Sequence, residues 1–169
     1  MKILSKQKNS RMCMICGLDN EYGVNAPFYN MEDGSVMTVF RYKEQHQSYP
    51  GRVHGGMITA MLDEMGLRSL WAKELSEETF GVTISLDTKY RKPVPYETEL
   101  IGRGVVVKNT SHFIITDSYI MDKDGEILAN GRIKYIKMDT QKIQEGVEVH
   151  EEMPYLVEDG RTEIEGPSS

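Results

Sequence analysis

One segment, residues 50–75, has the longest helical pattern in the chain and constrains the fold more than any other. Its apolar residues recur at steps of three and four, the period of a helix: Met57, Ile58, Met61, Leu62, Met65, Leu70 and Trp71. In the first three turns after His54 only Asp63 and Glu64 are charged, so most of the helix surface must be covered by other structure. The sequence therefore predicts one buried helix, with His-Gly-Gly at its start and a carboxylate more than two turns in.

Segments of strand length flank this helix. Four of them follow it and carry β-branched and aromatic residues, at 79–91, 98–108, 111–122 and 126–138. Two more precede it, at 27–31 and 35–42, and the turn Asp33-Gly34 between them predicts a hairpin. This order is typical of the α+β class rather than of alternating βαβ units. We expect a long antiparallel β-sheet wrapped around one central helix.

The composition divides the chain into one domain, residues 1–138, and an acidic C-terminal tail, residues 139–169. The tail holds nine acidic residues against two basic ones. We expect it to be partly ordered against the domain around Met153 and Tyr155, with a mobile end. Residues 1–12 show no strand pattern and are expected to form a loose or helical lead-in.

Charge and hydropathy exclude several classes of partner. The net charge of −6 comes without a basic stripe, so we expect no nucleic-acid partner. No run approaches the roughly 20 apolar residues of a membrane span, and the N-terminus lacks the apolar core of a signal peptide. These features predict a cytoplasmic protein with no membrane partner. One sheet around one helix leaves a face and edge strands uncovered, which favours a homo-oligomer.

Cys13 and Cys16 form a CxxC sequence. A structural zinc site uses four ligands, and the four histidines are scattered without the spacing of a ligand set. A redox CxxC usually follows a strand in a βαβ unit, which this sequence lacks. We therefore predict no metal site, and a reduced structural turn that ends at Gly17.

Two motifs carry a resemblance to a known family. HGGMITAMLD and the following GVTISLDTKYRKPVP resemble the hotdog-fold acyl-CoA thioesterases, most closely the PaaI-like, phenylacetate-pathway subgroup. CxxCG and DGEILANGRIKYI also fit, so the resemblance covers residues 13–138 and leaves out the tail. It implies hydrolysis of an acyl-CoA thioester to free CoA and a carboxylic acid. It also implies a dimer or a dimer of dimers with the active site at the subunit interface, and no cofactor, since CoA is part of the substrate.

Two other functions are possible for a hotdog fold: a non-catalytic acyl-CoA-binding module and a relative of the enoyl-CoA hydratases. A hotdog module that binds acyl-CoA without cleaving it would be a sensor or regulator, and the carboxylate of Asp63 argues against it. A relative of the enoyl-CoA hydratases is disfavoured because Asp63 has no histidine a few residues later. The acyl chain, and the choice between CoA and acyl-carrier protein, are left open.

Thioester hydrolysis needs an oxyanion donor and a carboxylate, and the residues near the helix start offer candidates for both. Negative charge builds on the carbonyl oxygen, so donors must be in place there, and the first turn of a helix has free N–H groups. Glycine lets a carbonyl approach closely, which makes Gly55 and Gly56 candidate donors. The resemblance points to the Gly55 N–H as the oxyanion donor. Asp63 is the predicted nucleophile or general base, and Glu64 is expected to be an ordinary polar position.

The spacing of these two groups has a consequence for assembly. Asp63 lies eight residues after Gly55, which is about 12 Å along the helix axis and roughly 80° around it. One active centre therefore needs the substrate to lie along the helix or a neighbouring subunit to contribute. In the family resembled, the carboxylate and the oxyanion donor come from different chains.

Further residues are expected to assist. His54 is predicted to fix the glycine turn by hydrogen bonding, with substrate contact as the alternative. Thr83 matches the small hydroxyl residue that the family presents to the carboxylate or to the attacking water. The polar helper before the histidine is Gln47 or Ser48. CoA phosphates need cations at the mouth of a groove, and the candidates are Lys89, Arg91, Lys92, Arg103 and Lys108.

Overall fold

The computed structural model describes residues 1–74, 79–138 and 152–165. In chain order its elements are β1 (Ile3–Lys6), β2 (Tyr29–Met31), β3 (Val36–Phe40), β4 (Gln47–Tyr49), β5 (Arg52–Val53), α1 (Gly55–Glu74), β6 (Phe80–Tyr90), β7 (Leu100–Asn109), β8 (Phe113–Met121) and β9 (Ile127–Met138). A short 3₁₀ helix, Glu44–His46, leads into β4.

Seven strands form one antiparallel sheet in the order β1-β2-β3-β7-β8-β9-β6, and β4 and β5 form a separate hairpin. The sheet packs against α1, chiefly through β7, β8 and β9. The α+β prediction is confirmed, and the four strands after the helix end within two residues of their predicted bounds. Within the predicted segment 50–75 the helix begins at Gly55, at the predicted His-Gly-Gly start, and the residues before it belong to the hairpin. Leu75, the last residue of the predicted helix, lies outside the described residues.

The small number of charged residues predicted that α1 is largely covered by other structure. Half of its 20 residues are buried. Gly66 lies under the hydroxyl groups of Tyr135 and Thr116, and a Cβ there would overlap both. From the sheet side, a Cβ on Gly104 would come 2.5 Å from the main-chain oxygen of Met65. These two glycines allow the short distance between helix and sheet. No helix in the described ranges is both long and apolar enough to cross a membrane.

Halfway along, β6 changes the face that it turns toward α1. Its pairing with β9 shifts by one residue at Ile84, which is a β-bulge. Before the bulge the odd-numbered Thr83 contacts α1, and after it the even-numbered Thr88 and Tyr90 do. Both halves of β6 therefore place hydroxyl groups against the helix.

The N-terminal residues are not a loose or helical lead-in, and that prediction is wrong. β1 pairs with β2 at the edge of the sheet, and the described tail segment 152–165 runs antiparallel beside residues 1–12. The Asn9 N–H, for example, donates to the Tyr155 carbonyl oxygen at 2.7 Å. The remainder of the predicted tail lies outside the described residues.

Candidate active site

His54 caps the start of α1. Its Nδ1 accepts the Gly56 N–H at 2.9 Å, and its carbonyl oxygen accepts the Met57 N–H at 3.0 Å. This is the contact expected of a histidine that fixes the glycine turn. It also engages the Gly56 N–H, so Gly56 is not a free donor, contrary to its predicted role. The Gly55 N–H has no acceptor in the described part of the chain and is available to a ligand.

Tyr90, at the end of β6, lies against this helix start and was not among the predicted site residues. Its hydroxyl group donates to the Gly55 carbonyl oxygen at 3.1 Å and lies 2.7 Å from Thr59 Oγ1. A Cβ on residue 55 would touch the Tyr90 ring at 3.4 Å. Tyr90 therefore holds the first turn of α1 against the sheet. The one sequence signal is an aromatic residue at a strand end, and the bulge at Ile84 hides which face it occupies.

A cleft of about 380 Å³ opens at the start of α1. Its wall includes Gly55 and Tyr90, together with the cationic side chains of Arg52, Arg91 and Lys92. Uncharged residues complete the lining: Ser48, Tyr49, Val53, Ile58, Pro93 and Val94. A helix N-terminus beside several cations suits a ligand that carries both a carbonyl group and phosphates.

Two of the predicted phosphate-binding cations, Arg91 and Lys92, thus lie at this cleft. Each has a partner already, since Arg91 Nε donates to Asn130 Oδ1 at 2.6 Å and Lys92 forms an ion pair with Glu126. Arg52 also lines the cleft and was not among the predicted cations. Its guanidinium group has no hydrogen-bond acceptor within the described ranges. The hairpin that presents it is formed by two strands of two and three residues, too short to predict from their pattern.

The other three predicted cations are not brought to the cleft. Arg103 forms an ion pair with Asp33 at 2.6 Å. The ammonium group of Lys108 lies 5.5 Å from the centre of the Phe113 ring. Lys89 is exposed on β6 and does not line the cleft.

Asp63 is a partly buried carboxylate further along α1. Thr83 Oγ1 lies 2.9 and 3.1 Å from its two carboxylate oxygens, so the hydroxyl group donates to the carboxylate. Tyr135, on β9, donates from its hydroxyl group to the main-chain oxygen of Asp63 at 2.6 Å. Burial raises the pKa of Asp63 above its ordinary value of 3.8, the bond from Thr83 lowers it, and the nearby Glu64 charge raises it.

Asp63 and the cleft do not meet within one chain. The carboxylate belongs to a residue about 12 Å along the helix axis from Gly55 and does not line the cleft. Of the two candidate helpers, Ser48 lines the cleft, whereas Gln47 is exposed in β4 and does not. Gly55 and Ser48 therefore line one cleft, and Asp63 contacts Thr83 at a separate point along α1.

Sequence comparison identifies relatives of this chain. The thioesterase superfamily model matches residues 50–129. Acyl-coenzyme A thioesterase THEM4 of Rattus norvegicus is 25% identical over 140 residues, which cover 82% of this chain and 57% of that protein. Acyl-coenzyme A thioesterase 13 of Homo sapiens is 23% identical over 100 residues, 59% of this chain and 70% of that protein. The chain thus spans little more than half the length of THEM4.

Solved structures share the fold. A thioesterase superfamily protein aligns with a TM-score of 0.66 at 26% identity, covering 74% of this chain and 63% of that one. A putative thioesterase of Ralstonia eutropha JMP134, described as phenylacetic acid degradation-related, aligns at 0.59 and 19% identity, over 67% and 85% of the two chains. A hypothetical thioesterase of Streptococcus pneumoniae TIGR4, solved with coenzyme A, aligns at 0.58 and 20% identity, over 68% and 87%. The resemblance to the hotdog-fold thioesterases is confirmed: the chain has the hotdog fold, and its residues 50–129 match the thioesterase superfamily model.

Proposed function

We propose that this protein hydrolyses an acyl-CoA thioester to free CoA and a carboxylic acid. The proposal rests on two groups of α1, the N–H of Gly55 and the carboxylate of Asp63. Its first N–H, on Gly55, is free at a cleft with cationic side chains, and its Asp63 carboxylate is held by Thr83. The names of the relatives, acyl-coenzyme A thioesterases of rat and human, support the same reaction.

The Gly55 N–H is the proposed oxyanion donor. When an oxygen attacks the thioester, the carbonyl oxygen takes up the electron pair, and a donor already aimed at that point stabilises the charge. The positive end of the α1 dipole adds to this stabilisation. Because His54 and Tyr90 hold the first turn from two sides, the donor needs no rearrangement as the charge develops.

Asp63 then acts in one of two ways. As a general base it takes a proton from water, whose oxygen bonds the carbonyl carbon; the C–S bond breaks, and sulfur leaves as a thiolate that takes up the proton. As a nucleophile its own oxygen bonds the carbon, the CoA thiolate leaves, and water hydrolyses the resulting anhydride. The Thr83 hydroxyl group orients the carboxylate in either case.

The cations of the cleft are proposed to bind the CoA phosphates. Arg52 has no competing acceptor among the described residues, while Arg91 and Lys92 would give up or share their present partners. Arginine binds phosphate with paired hydrogen bonds, which favours Arg52 as the principal contact. The coenzyme A found with the S. pneumoniae relative of the same fold supports a CoA-binding role for this family of structures.

A second copy of the chain is proposed to complete the site. β6 is a long edge strand, and Val82 and Ile84 on it are 41% and 51% exposed. An edge of this kind is normally covered, and pairing with the β6 of another copy would cover it. Such a homodimer, alone or as a dimer of dimers, would bring Asp63 of one chain toward the partner's Gly55.

Mixing two inactive variants tests this assembly. Asp63→Asn and Gly55→Pro chains, co-expressed so that they form mixed dimers, are expected to recover about one quarter of wild-type activity. The reason is that half of randomly formed dimers are mixed, and each mixed dimer has one site with both groups intact. Thiol release by the purified mixture measures this. If each site were completed within one chain, the mixture would stay as inactive as the separate variants.

Release of free thiol from a panel of acyl-CoA esters tests the function itself. Short, medium, long and aromatic acyl chains are compared, so that the preferred acyl group is identified together with the reaction. Turnover of one class well above the blank rate is expected. Binding of acyl-CoA with no turnover of any ester would instead favour the non-catalytic acyl-CoA-binding module.

The Thr83 hydroxyl group is expected to set the pH dependence. Asp63 must be ionised to act, so kcat/KM falls as the pH drops through its pKa, which burial places above 3.8. Thr83→Val removes the bond that lowers this pKa, and the acidic limb of the profile should move to higher pH. Thr83→Ser keeps the hydroxyl group and should keep the wild-type limb. Identical limbs in the valine variant and the wild type would exclude this role.

A further inference from the structure

A cluster of three ligand-type side chains lies on the other side of α1. Cys13 and Cys16 face Glu64, and the two sulfur atoms and one carboxylate oxygen all lie within 4.8 Å of one another. Cys13 Sγ is 3.8 Å from Glu64 Oε2. Glu64 is therefore not the ordinary polar position predicted from the sequence. It connects the N-terminal turn to the central helix.

The CxxC turn prepares both sulfur atoms for ligation. Cys13 Sγ accepts the N–H groups of Ile15 at 3.3 Å and of Cys16 at 3.5 Å. Ser10 Oγ accepts the Cys13 N–H at 3.1 Å and lies 3.3 Å from Cys16 Sγ, so its own proton is free to point at that sulfur. Gly17 closes the turn, because a Cβ there would come 2.5 Å from the Cys13 backbone. Hydrogen bonds to a sulfur atom fix its position, as the outer hydrogen bonds around a metal site do for its ligands.

Arg68 fixes the orientation of the carboxylate. Its side chain is 1% exposed, and its Nε donates to Glu64 Oε1 at 2.7 Å. The rest of the guanidinium group donates to Gln7 Oε1 and lies 4.3 Å from the centre of the Phe28 ring. One oxygen of Glu64 is thus occupied, and the other is turned toward Cys13. Outer hydrogen bonds of this kind orient the carboxylate ligands of metal sites.

Space and charge at the cluster also suit a cation. A cavity of about 160 Å³ is lined by Cys13, Cys16 and Glu64, together with Arg68. Two thiolates and one carboxylate carry three negative charges, which Arg68 and one divalent ion would neutralise. In a tetrahedral zinc site a sulfur and an oxygen ligand are about 3.5 Å apart, close to the 3.8 Å between Cys13 Sγ and Glu64 Oε2.

We propose that Cys13, Cys16 and Glu64 bind one zinc-type divalent cation, with water as the fourth ligand in the cavity. Two thiolates select a borderline or soft metal over magnesium or calcium. The ion would tie the N-terminal turn to α1 at the residue next to Asp63. The pattern of cysteines and histidines predicts no metal site, because the third proposed ligand is a glutamate 48 residues beyond Cys16.

Metal binding by the whole protein tests the site. Chelator-treated protein, kept under a thiol reductant that does not bind metal, is titrated with Zn²⁺ and, separately, with Co²⁺. We expect one ion per chain, a higher Tm with Zn²⁺, and thiolate-to-cobalt charge-transfer absorption with Co²⁺. Cys16→Ser should abolish stoichiometric binding, and Glu64→Gln, which removes a charged ligand, should weaken it by more than the roughly 10–100-fold that loss of an outer hydrogen bond costs. Asp63→Asn, the neighbouring carboxylate outside the cluster, should bind zinc as the wild type does.

The titration of the wild type decides the question even if a variant fails to fold. Reduced wild-type protein that retains no Zn²⁺ after dialysis, or Co²⁺ that gives no sulfur charge-transfer band, would overturn the proposal. Undiminished binding by Cys16→Ser would overturn it as well, because the ion would then lie elsewhere.

Discussion

Replacing Asp63 by asparagine is expected to lower kcat/KM for the best acyl-CoA ester by about 10²–10⁴-fold. Asparagine has nearly the same shape and still accepts the Thr83 hydroxyl group, but it can neither take a proton from water nor attack the thioester. Steady-state thiol release with the purified variant measures the loss. Activity within a few-fold of the wild type would remove Asp63 from the proposed mechanism.

The folded state of this variant provides the control. A raised pKa means that the folded protein holds the Asp63 proton more tightly than the unfolded chain does. Stability from this group is therefore fully present below pH 3.8 and is lost as the pH rises through the folded-state pKa. The Asp63→Asn variant buries no charge at this position, so its Tm at neutral pH should equal or exceed that of the wild type. A lower Tm would assign the loss of activity to misfolding instead.

Removing a single backbone N–H has the second largest expected effect. Gly55→Pro deletes the proposed oxyanion donor, and kcat should fall by about 10²–10³-fold. Proline is tolerated at the first position of a helix, because its fixed φ suits that position and the missing N–H has no partner inside the helix. The residue before it, His54, is the N-cap, where the extended backbone that proline requires is usual.

Gly55→Ala is the matched variant, since it adds a side chain but keeps the N–H. Its Cβ would lie 3.4 Å from the Tyr90 ring, an ordinary contact, so the helix start should be unchanged. We expect Gly55→Ala to retain most of kcat and both variants to keep the wild-type circular dichroism. Equal losses in the alanine and proline variants would mean that space at this position, and not the donor, matters.

The two adjacent carboxylates of α1 illustrate how little the local sequence says about role. Asp63 and Glu64 are neighbours in the chain and point about 100° apart around the helix. Asp63 accepts a hydrogen bond from the Thr83 hydroxyl group. Glu64 instead forms an ion pair with the buried Arg68 and contacts the sulfur of Cys13. Their different partners, and not their residue types, suit one to proton transfer and the other to a structural or ligating role.

Much of the fold could be predicted because it depends on residues close together in the chain. The alternating burial of β8, and the turn at Gly34 with φ +77° between β2 and β3, are both visible in the sequence. So is the buried apolar pattern of α1. The pairing of Asp63 with Thr83 was also anticipated, from the resemblance of two motifs, and the structure places these side chains in contact.

By itself, the sequence determined the helix, the long strands and the glycine-rich helix start, since a periodic pattern or a turn residue marks each of them. Only the tertiary structure decided that Tyr90 faces Gly55, because one extra residue at Ile84 reverses the alternation of β6. The same is true of the tail segment beside β1 and of the contact between Glu64 and Cys13. These features join residues far apart in the chain, and their energy comes from contacts that no local pattern encodes.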